Sequence, residues 1–305
     1  MTFRISAIIV TFDPDVNRLH TVLDSIAPQV EWVVVVDNGS SNLDTLQLLV
    51  AGFPTASLLA IGKNLGIGAA LNIGVKTISS AASDAILLLD QDSIPSDTMV
   101  QDLVRGLHQK IDSDRKVAAI GPRFIDRHNG HMSQHVKFAG WRVARVDCNS
   151  LKQPVEIDVL ITSGSLIPVD VLQKTGKFNE NLFIDLVDTD WVLRAQHLGL
   201  HVYGDCNATM EHDLGENRRR IWLGRWRAVP IHKPFRYYYM FRNSIWLRGQ
   251  PHARAEWKHI ETIKLLQIFS FMMIFHPQRY LTLRMILQGV WDGLCGKTGK
   301  HDLEE

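Results

Sequence analysis

Two carboxylates one residue apart, Asp90 and Asp92, have the type and spacing to hold a divalent metal ion. They follow an apolar run at residues 85–89, which predicts a strand buried on both faces with both side chains at its carboxyl end. Open α/β sheets bind their ligands at that edge. Two oxygen donors hold Mg²⁺ or Mn²⁺ only weakly, and substrate phosphates usually complete the coordination. The pattern therefore predicts a bound nucleotide diphosphate, and a solvated turn at the strand end is the alternative interpretation.

A second acidic cluster, Asp185, Asp188 and Asp190, lies where a helical pattern begins. Acidic residues at a helix start oppose the positive end of the helix dipole and cap its free N–H groups, but one residue is enough for that purpose. A carboxylate near a helix N-terminus stays ionised at neutral pH and is able to take a proton from a hydroxyl group. Arg194 follows Asp190 by four residues, so we expect the two to form an ion pair. Asp188 is then the freer candidate base.

Asp37 ends another predicted strand and is the third acidic residue at the same predicted edge. An Asp at this place accepts a hydrogen bond from a base imide or a ribose hydroxyl, but residues 37–40 are equally typical of a simple turn. Residues 62–68 are rich in glycine but lack the G-x-G-x-x-G spacing, which argues against a nicotinamide dehydrogenase. The sequence motifs of phosphate-loop enzymes and of nucleophile-elbow hydrolases do not occur either.

The elements that must position these residues alternate between strands and helices, which predicts βαβ units and a mainly parallel sheet. The apolar runs and helical periods predict strands at residues 5–12, 32–36, 58–61, 85–90, 117–120 and 157–161, and helices at residues 16–25, from the glycine-rich segment to about 79, at 96–109 and shortly after 168.

Residues 123–153 are polar and have no clean period, so we interpret them as a loop or a β-hairpin near the acceptor. His131 and His135 have the i, i+4 spacing with which a helix presents two metal ligands. Together with His128 they are explained as well by exposed histidines in a polar loop.

The 305 residues of the chain suffice for one large core with an appendage or for two small domains. Cys148, Cys206 and Cys295 are far apart in sequence and lack C-x-x-C spacing, so we expect neither a disulfide framework nor a zinc knuckle. This usage fits a reducing compartment. The N-terminus runs directly into the first predicted strand without a signal-peptide pattern, so we expect a protein that is not exported.

The last third of the chain is basic. Residues 215–305 contain sixteen Lys and Arg against seven Asp and Glu, and five of the eight tryptophans. Basic residues interleaved with aromatic ones suit an anionic membrane surface or a nucleic acid, and the apolar helical pattern from residue 218 onward favours lipid. Pro277 divides that pattern into a predicted helical hairpin. The apolar stretch 265–275 is too short to span a bilayer, so it is expected in a membrane interface, on the catalytic domain or in a dimer contact.

Several short motifs occur in the order seen in family-two inverting glycosyltransferases, and the chain resembles that family over residues 4–215. Such enzymes have a GT-A fold, in which a nucleotide-binding α/β sheet is joined to an acceptor-binding part. The resemblance implies a catalytic domain at residues 1–215, divided near residue 122, and a helical extension at residues 216–305. The motifs that carry it are residues 11–12, 35–40, 64–68, 89–93, 163–165 and 183–194.

The resemblance also implies roles for the matching residues. Asp37 would contact the nucleotide base, Asp90 the ribose or the metal, and Asp92 a Mg²⁺ or Mn²⁺ ion on the diphosphate. The remaining implied contacts are Thr11, Asn64 and Gly66 on the nucleotide-sugar, Ser163, Gly164, Asp190 and Trp191 on the donor sugar or acceptor, and His212 near the metal or diphosphate.

Asp188 would be the catalytic base by the same resemblance. Val187 stands where many family members have Glu, which leaves Asp185 as a rival base.

Variants within these motifs resemble the rhamnosyltransferase branch, and residues 236–243 and 289–294 extend the similarity into the basic region. This implies transfer of L-rhamnose from dTDP-β-L-rhamnose to a lipid-linked cell-surface polysaccharide of the O-antigen type. The enzyme would act peripherally at the cytoplasmic face of the membrane, without nucleic acid, and a homo-oligomer is compatible with the helical hairpin. The alternatives are a UDP- or GDP-hexose donor and a non-catalytic carbohydrate-binding protein at the membrane surface.

Overall fold

A mixed sheet of nine strands lies at the centre of the fold. The computed structural model describes residues 3–78, 83–113, 116–127, 130–148, 151, 153–212, 218–222 and 226–301. The strands of these residues are β1 Ile5–Thr11, β2 Trp32–Asp37, β3 Ala56–Ala60, β4 Ala85–Asp90, β5 Ile94–Pro95, β6 Val117–Asp126, β7 Val136–Ala139, β8 Arg142–Arg145, β9 Val155–Ile157, β10 Leu166–Pro168, β11 His201–His212, β12 Arg218–Trp222 and β13 Trp226–Pro230. The order in the sheet is β3-β2-β1-β4-β10-β6-β11-β5, and β9 pairs with β11.

Helices cover both faces of this sheet. Those of the described residues are α1 Val16–Ile26, α2 Leu43–Ala51, α3 Ile67–Ile78, α4 Met99–Asp112, α5 Val169–Thr175, α6 Val187–His197, α7 Pro234–Arg248, α8 Ala255–Phe275 and α9 Arg279–Leu294. The first face packs against α1, α2 and α4, and the second against α3, α5 and α6. Leu87 and Leu89 of β4 face the first group, while Ile86 and Leu88 face the second. This alternation confirms the strand buried on both faces that was predicted before Asp90.

The first half of the sheet is parallel and the second half is mixed. β1 pairs in parallel with β2 and β4, and β2 with β3, as predicted. β10 runs antiparallel to both β4 and β6. The sequence missed β5 and β10 because strands of two or three residues are too short to show a period. The predicted strand at 157–161 is wrong in extent, since β9 ends at Ile157.

The polar segment after residue 122 contains a β-hairpin. β6 continues to Asp126, and β7 pairs with β8, which confirms the hairpin interpretation. His131 and His135 lie outside any helix, so the helical spacing considered for them is wrong; His128 lies outside the described residues. The subdivision expected near residue 122 falls inside β6, and one sheet runs through both parts.

The C-terminal region begins with a second hairpin. β12 pairs with β13, so the expectation of helix from residue 218 is wrong for these residues. The helices start at α7, and the break between α8 and α9 at Pro277 confirms the helical hairpin. α9 packs so closely on α7 that a Cβ at Gly293 would lie 2.7 Å from the backbone oxygen of Arg242. Among the described residues, no helix has both the length and the apolar character needed to cross a bilayer.

Cys148 and Cys206 form a disulfide across 58 residues of sequence, which contradicts the expectation that disulfides do not stabilise this fold. Their wide separation hid the pair, because only the packing of the segment after β8 against β11 brings the two Cα atoms to 5.4 Å. Cys295 is an exposed free cysteine.

Candidate active site

The register of the parallel strands brings the predicted nucleotide residues to one edge of the sheet. Thr11 at the end of β1 pairs with Asp37 at the end of β2, and Val10 pairs with Asp90 at the end of β4. The carboxyl ends of three neighbouring strands therefore meet at the edge where ligands bind in open α/β sheets. The sequence predicted this convergence from the position of each acidic residue after an apolar run.

Asp37 organises the turn that follows β2. The side chain is fully buried, and its Oδ2 accepts hydrogen bonds from the backbone N–H groups of Gly39 at 3.1 Å and Ser40 at 3.0 Å. Oδ1 accepts from Thr11 Oγ1 at 3.3 Å and from the Ser40 hydroxyl. The structure thus gives Asp37 the turn role that was one of its two interpretations, and its contact with a nucleotide base stays a prediction.

Asn64 and Gly66 belong to a loop that joins this edge to the second acidic cluster. Asn64 Oδ1 accepts hydrogen bonds from Asn38 Nδ2 at 3.2 Å and from the Gly66 N–H at 3.0 Å. Gly66 has a φ of 88°, and a Cβ there would lie 2.7 Å from a ring carbon of Phe183. Only glycine permits both the left-handed backbone and this close approach. The loop therefore packs directly on the segment that precedes α6.

Asp90, Asp92 and His212 form a cluster whose metal-ligating atoms all lie within 4.8 Å of one another. His212 comes from the end of β11, and its Nδ1 lies 3.7 Å from Asp92 Oδ1. The Ser93 hydroxyl is 2.7 Å from the same ring nitrogen. This arrangement brings together the three residues that the resemblance assigned to the metal or diphosphate. Two carboxylates and an imidazole are ligands that suit Mg²⁺ or Mn²⁺.

The electrostatics of this cluster favour a cation. Burial and the nearby carboxylates of Asp92 and Asp188 together raise the pKa of Asp90 to about 6, against the opposing effect of His212. Like charges held together in a partly desolvated site destabilise their ionised forms, and a divalent cation relieves that repulsion. The residues present therefore fit a divalent metal ion.

Ser163 and Gly164 support the cluster of Asp90, Asp92 and His212 from the segment before β10. Ser163 is buried; its hydroxyl donates to Ser93 Oγ at 2.8 Å and accepts from the Asp90 N–H at 3.1 Å. Gly164 has a φ of 82°, and its N–H donates to the Leu88 carbonyl at 2.7 Å. Both residues brace β4 and its acidic turn, and their predicted contacts with a sugar stay predictions.

Asp185 and Asp188, the two candidate bases, differ in their partners. Asp185 accepts from Arg236 in an ion pair of 3.1 Å. Asp188 Oδ1 accepts the Thr189 N–H at 2.6 Å, and burial raises the pKa of Asp188 despite the hydrogen bonds from Thr189. A carboxylate in a close ion pair is a weaker proton acceptor than a buried carboxylate that has no cation equally close to it. The geometry therefore favours Asp188 over its rival.

The loop before α6, which leads into Asp188, has an unusual backbone conformation. Phe183, Asp185 and Leu186 have φ values of 64°, 62° and 63°. Such values are uncommon outside glycine and require support from surrounding groups. Asn243 Nδ2 of α7 supplies that support, because it lies within hydrogen-bonding distance of three backbone oxygens of the loop: those of Leu182 at 3.0 Å, Ile184 at 2.7 Å and Asp185 at 2.9 Å.

Arg242 reinforces the same contact. It is 1% exposed, and its guanidinium donates to Asn243 Oδ1, to the Leu182 carbonyl at 3.0 Å and to the Gly299 carbonyl at 2.5 Å. The sequence placed Arg242 and Asn243 in a motif only by resemblance. The sequence feature that marks the two residues is their adjacency in a helix rich in aromatic residues. Nothing in the sequence links that helix to a loop some sixty residues earlier.

Asp190 and Trp191 face the protein interior. Asp190 pairs with Arg194 Nε at 2.9 Å, which confirms the predicted ion pair, and with His252 Nε2 at 2.9 Å, which the sequence missed. Trp191 is 2% exposed and stacks on Phe178. Their predicted sugar contacts stay predictions, but the structure gives both residues a packing role.

His131 and His135 are not brought to the acidic cluster. His135 is buried beside Cys148 and Cys206, with Nε2 3.3 Å from the Asp205 carbonyl. His131 contributes its carbonyl oxygen to a hydrogen bond from the Asp126 N–H at 2.9 Å.

The chain is similar to known glycosyltransferases. A family profile described as Glycosyltransferase like family 2 matches residues 4–215. The dTDP-rhamnosyl transferase RfbF of Shigella flexneri is 29% identical over 301 residues, which cover 98% of this chain and 98% of that protein. An N-acetylglucosaminyltransferase of Bradyrhizobium elkanii is 30% identical over 132 residues, which cover 41% of this chain and 69% of that protein.

Solved structures show the same fold. The S. aureus TarS 1–349 complex with UDP-GlcNAc superposes with a TM-score of 0.58 at 15% identity, over 96% of this chain and 81% of that one. GalNAc-T7 with UDP, GalNAc and Mn²⁺ gives a TM-score of 0.55 at 13% identity over 90% of this chain, which spans 58% of that structure. The GT-A fold expected from the sequence is thus confirmed. Because the family profile spans the whole sheet and the acidic edge, the chain belongs to the family-2-like glycosyltransferases.

Proposed function

We propose that this glycosyltransferase moves L-rhamnose from dTDP-β-L-rhamnose to a lipid-linked polysaccharide acceptor of the O-antigen type at the cytoplasmic membrane face. The observation that carries the proposal is the similarity to a dTDP-rhamnosyl transferase along 98% of both chains. That similarity includes the C-terminal helices, which lie beyond the residues matched by the family profile.

Asp188 would act as the base. An acceptor hydroxyl attacks the anomeric carbon of the donor and gives its proton to the Asp188 carboxylate, while the bond from that carbon to the diphosphate oxygen breaks. A single attack opposite the leaving group inverts the anomeric configuration. The raised pKa of Asp188 supports this role, because a base is more effective when its pKa lies closer to the working pH.

Asp92 would hold Mg²⁺ or Mn²⁺ together with Asp90 and His212. When bound, the ion would neutralise negative charge on the departing diphosphate. Asp90 also lies beside the edge at which Thr11, Asp37, Asn64 and Gly66 would form the nucleotide side of the donor site. The buried hydrogen bonds of Asp37 support a rigid, preformed loop there.

A second donor class has its own support. The N-acetylglucosaminyltransferase relative matches 41% of the chain, so a UDP-hexose is the alternative donor. The test is a panel of dTDP-rhamnose, UDP-GlcNAc, UDP-glucose and GDP-mannose incubated with the enzyme and Mg²⁺ or Mn²⁺, with release of nucleoside diphosphate as the readout. We expect release from dTDP-rhamnose above the others and loss of it in chelator. Preferential release from a UDP-sugar would replace the proposed donor, and metal-independent release would refute the metal assignment.

We also propose that α8 and α9 dock on an anionic membrane surface. Five large apolar side chains on these helices are 59–70% exposed: Leu266, Ile274, Leu287, Trp291 and Leu294. The surplus of basic residues after 215 adds electrostatic attraction to anionic lipid. In a flotation assay the protein should rise with anionic vesicles at low salt and remain below at high salt. Failure to float at low salt would contradict membrane docking.

A further inference from the structure

An open groove of about 940 Å³ runs between α7 and α8 beside the C-terminal hairpins. Its walls are apolar: Met240 comes from α7, and Ile263, Leu266, Phe271 and Ile274 come from α8. Three of these side chains are strongly exposed, with Ile263 at 42%, Leu266 at 61% and Ile274 at 66%. Exposed apolar side chains that line a concave surface mark a ligand groove more often than scattered surface residues do.

Helix α7 links the groove to the loop before α6. Tyr237 lines the groove, and its hydroxyl accepts the His232 N–H at 3.1 Å. The preceding residue, Arg236, forms the ion pair with Asp185. Asp185 lies three residues before Asp188, the proposed base. The groove wall and the acceptor side of the catalytic site are thus joined through a short run of contacts.

The two helices that form the groove also carry two cations near the loop before α6. Lys264 sits on α8 between groove residues, is 49% exposed, and is close enough to Asp188 to lower the pKa of that carboxyl. Arg236 is 37% exposed. Each has a carboxylate partner, Glu261 and Asp185 respectively, and each keeps exposed surface for a further anion. The order along the surface is therefore carboxylate base, cations, apolar groove.

This order matches one kind of molecule: a sugar joined through phosphate to an aliphatic chain. We propose that the groove between α7 and α8 binds the isoprenoid-type chain of the acceptor, with the linking phosphates near Lys264 and Arg236 and the acceptor sugar at Asp188. The proposal rests on the proposed glycosyl transfer to a lipid-linked acceptor and adds the place where the lipid is held. The nearness of the groove to the loop before α6, through Tyr237 and Arg236 of α7, favours a substrate over a permanent protein partner, because a partner seated there would close the approach to the base.

The proposal is tested by direct binding, with dTDP and Mg²⁺ present to fill the donor site. The probes are inorganic diphosphate, geranyl diphosphate and farnesyl diphosphate, each below its micelle concentration and measured by titration calorimetry on the full chain. Each buried isoprene unit should tighten binding about tenfold or more. Farnesyl diphosphate should therefore bind at least about tenfold more tightly than geranyl diphosphate, and inorganic diphosphate most weakly.

Leu266→Gln and Leu287→Gln form a matched pair of variants. The two leucines are 61% and 59% exposed, but only Leu266 is among the groove residues. Leu266→Gln should weaken farnesyl diphosphate binding about tenfold, and Leu287→Gln should leave it unchanged. Neither variant should alter the affinity for dTDP, since neither residue lies at the nucleotide edge.

The outcomes separate this proposal from the proposed function. Binding that does not depend on chain length, or an equal effect of the two variants, overturns the groove assignment while leaving the donor reaction intact. If Leu266→Gln weakens only binding to anionic vesicles, the groove is a bilayer contact and the proposal is wrong. If dTDP does not bind, the proposed donor fails, and the comparison of prenyl diphosphates still decides the groove.

Discussion

Asn243 offers the sharpest test of whether the C-terminal helices position the proposed base. Its side chain is fully buried on α7, and its amide nitrogen contacts three carbonyl oxygens of the loop that contains Asp185 and precedes Asp188. Its Oδ1 accepts from Arg242 Nε at 2.9 Å and Nη2 at 2.7 Å. Asn243→Ala removes the donor that holds the loop and one acceptor of a buried guanidinium.

The size of the effect follows from these contacts. A buried polar group that loses its partner costs about 1–3 kcal/mol, and at least one loop carbonyl and part of the Arg242 guanidinium lose theirs. We therefore expect the free energy of unfolding to fall by about 3 kcal/mol. The left-handed residues of the loop cost about 1 kcal/mol or more each, so they should relax once the support is gone. A displacement of the base by about 1 Å lowers kcat by about 100-fold.

Asn72→Ala is the matched control. Asn72 is also a buried asparagine on a helix, and its amide donates to the Phe178 carbonyl at 2.9 Å and to Glu180 Oε1 at 2.8 Å. It does not bond to the loop at residues 183–186 among the described hydrogen bonds. Urea unfolding should show comparable losses of stability for both variants. Steady-state kinetics below the onset of unfolding should show a large fall in kcat for Asn243→Ala alone, with donor KM unchanged in both.

Asn243→Asp separates loop support from fold stability. Aspartate keeps the contact with Arg242 but has no amide hydrogens to donate to the loop carbonyls. We expect a kcat as low as that of Asn243→Ala with a smaller loss of stability. If either variant retains wild-type kcat while folded, Asn243 does not position the base and the reasoning is refuted.

Three further predictions concern the acidic edge and the helix crossing. Asp188→Asn should leave the Kd for the donor nucleotide within about threefold and lower kcat by at least about 100-fold; near-normal kcat would exclude Asp188 as the base. Because the pKa of Asp90 is raised from 3.8 to about 6, its charged form destabilises the metal-free fold fully above pH 6 and not at all below 3.8. Asp90→Asn should therefore add up to about 3 kcal/mol of stability at pH 8 in chelator, shrinking as pH falls toward 4, whereas a gain independent of pH in thermal melts would contradict this. Gly289→Val should lower Tm by roughly 5 °C, because any Cβ there collides with the Tyr238 carbonyl across α7 and α9; an unchanged Tm would show that the crossing adjusts freely.

The order of the motifs along the chain was enough to predict the fold and the edge that carries the site. Apolar runs ending in Asp37 and Asp90 determine where parallel strands stop, and the carboxyl ends of such strands must meet. The ion pair of Asp190 with Arg194 follows from helical spacing alone. These features depend on residues near one another in sequence or on a period that repeats within one element.

Other features are decided by contacts between distant segments, which no local pattern reports. The disulfide between Cys148 and Cys206 and the partner of Asp190 at His252 are of this kind. The hairpin at residues 218–230 was mistaken for helix, because it has no clear alternation of apolar and polar residues.

The choice between Asp185 and Asp188 shows most clearly what the sequence decides and what only the tertiary structure decides. The sequence indicated the acidic cluster at the start of α6 as the place of the candidate base. Only the tertiary structure places Arg236 on Asp185 and leaves Asp188 with hydrogen bonds from Thr189 alone among those described. The physical reason is that the pKa of a carboxylate depends on its desolvation and on the charges that surround it in space, and α7 brings those charges from about fifty residues away in sequence.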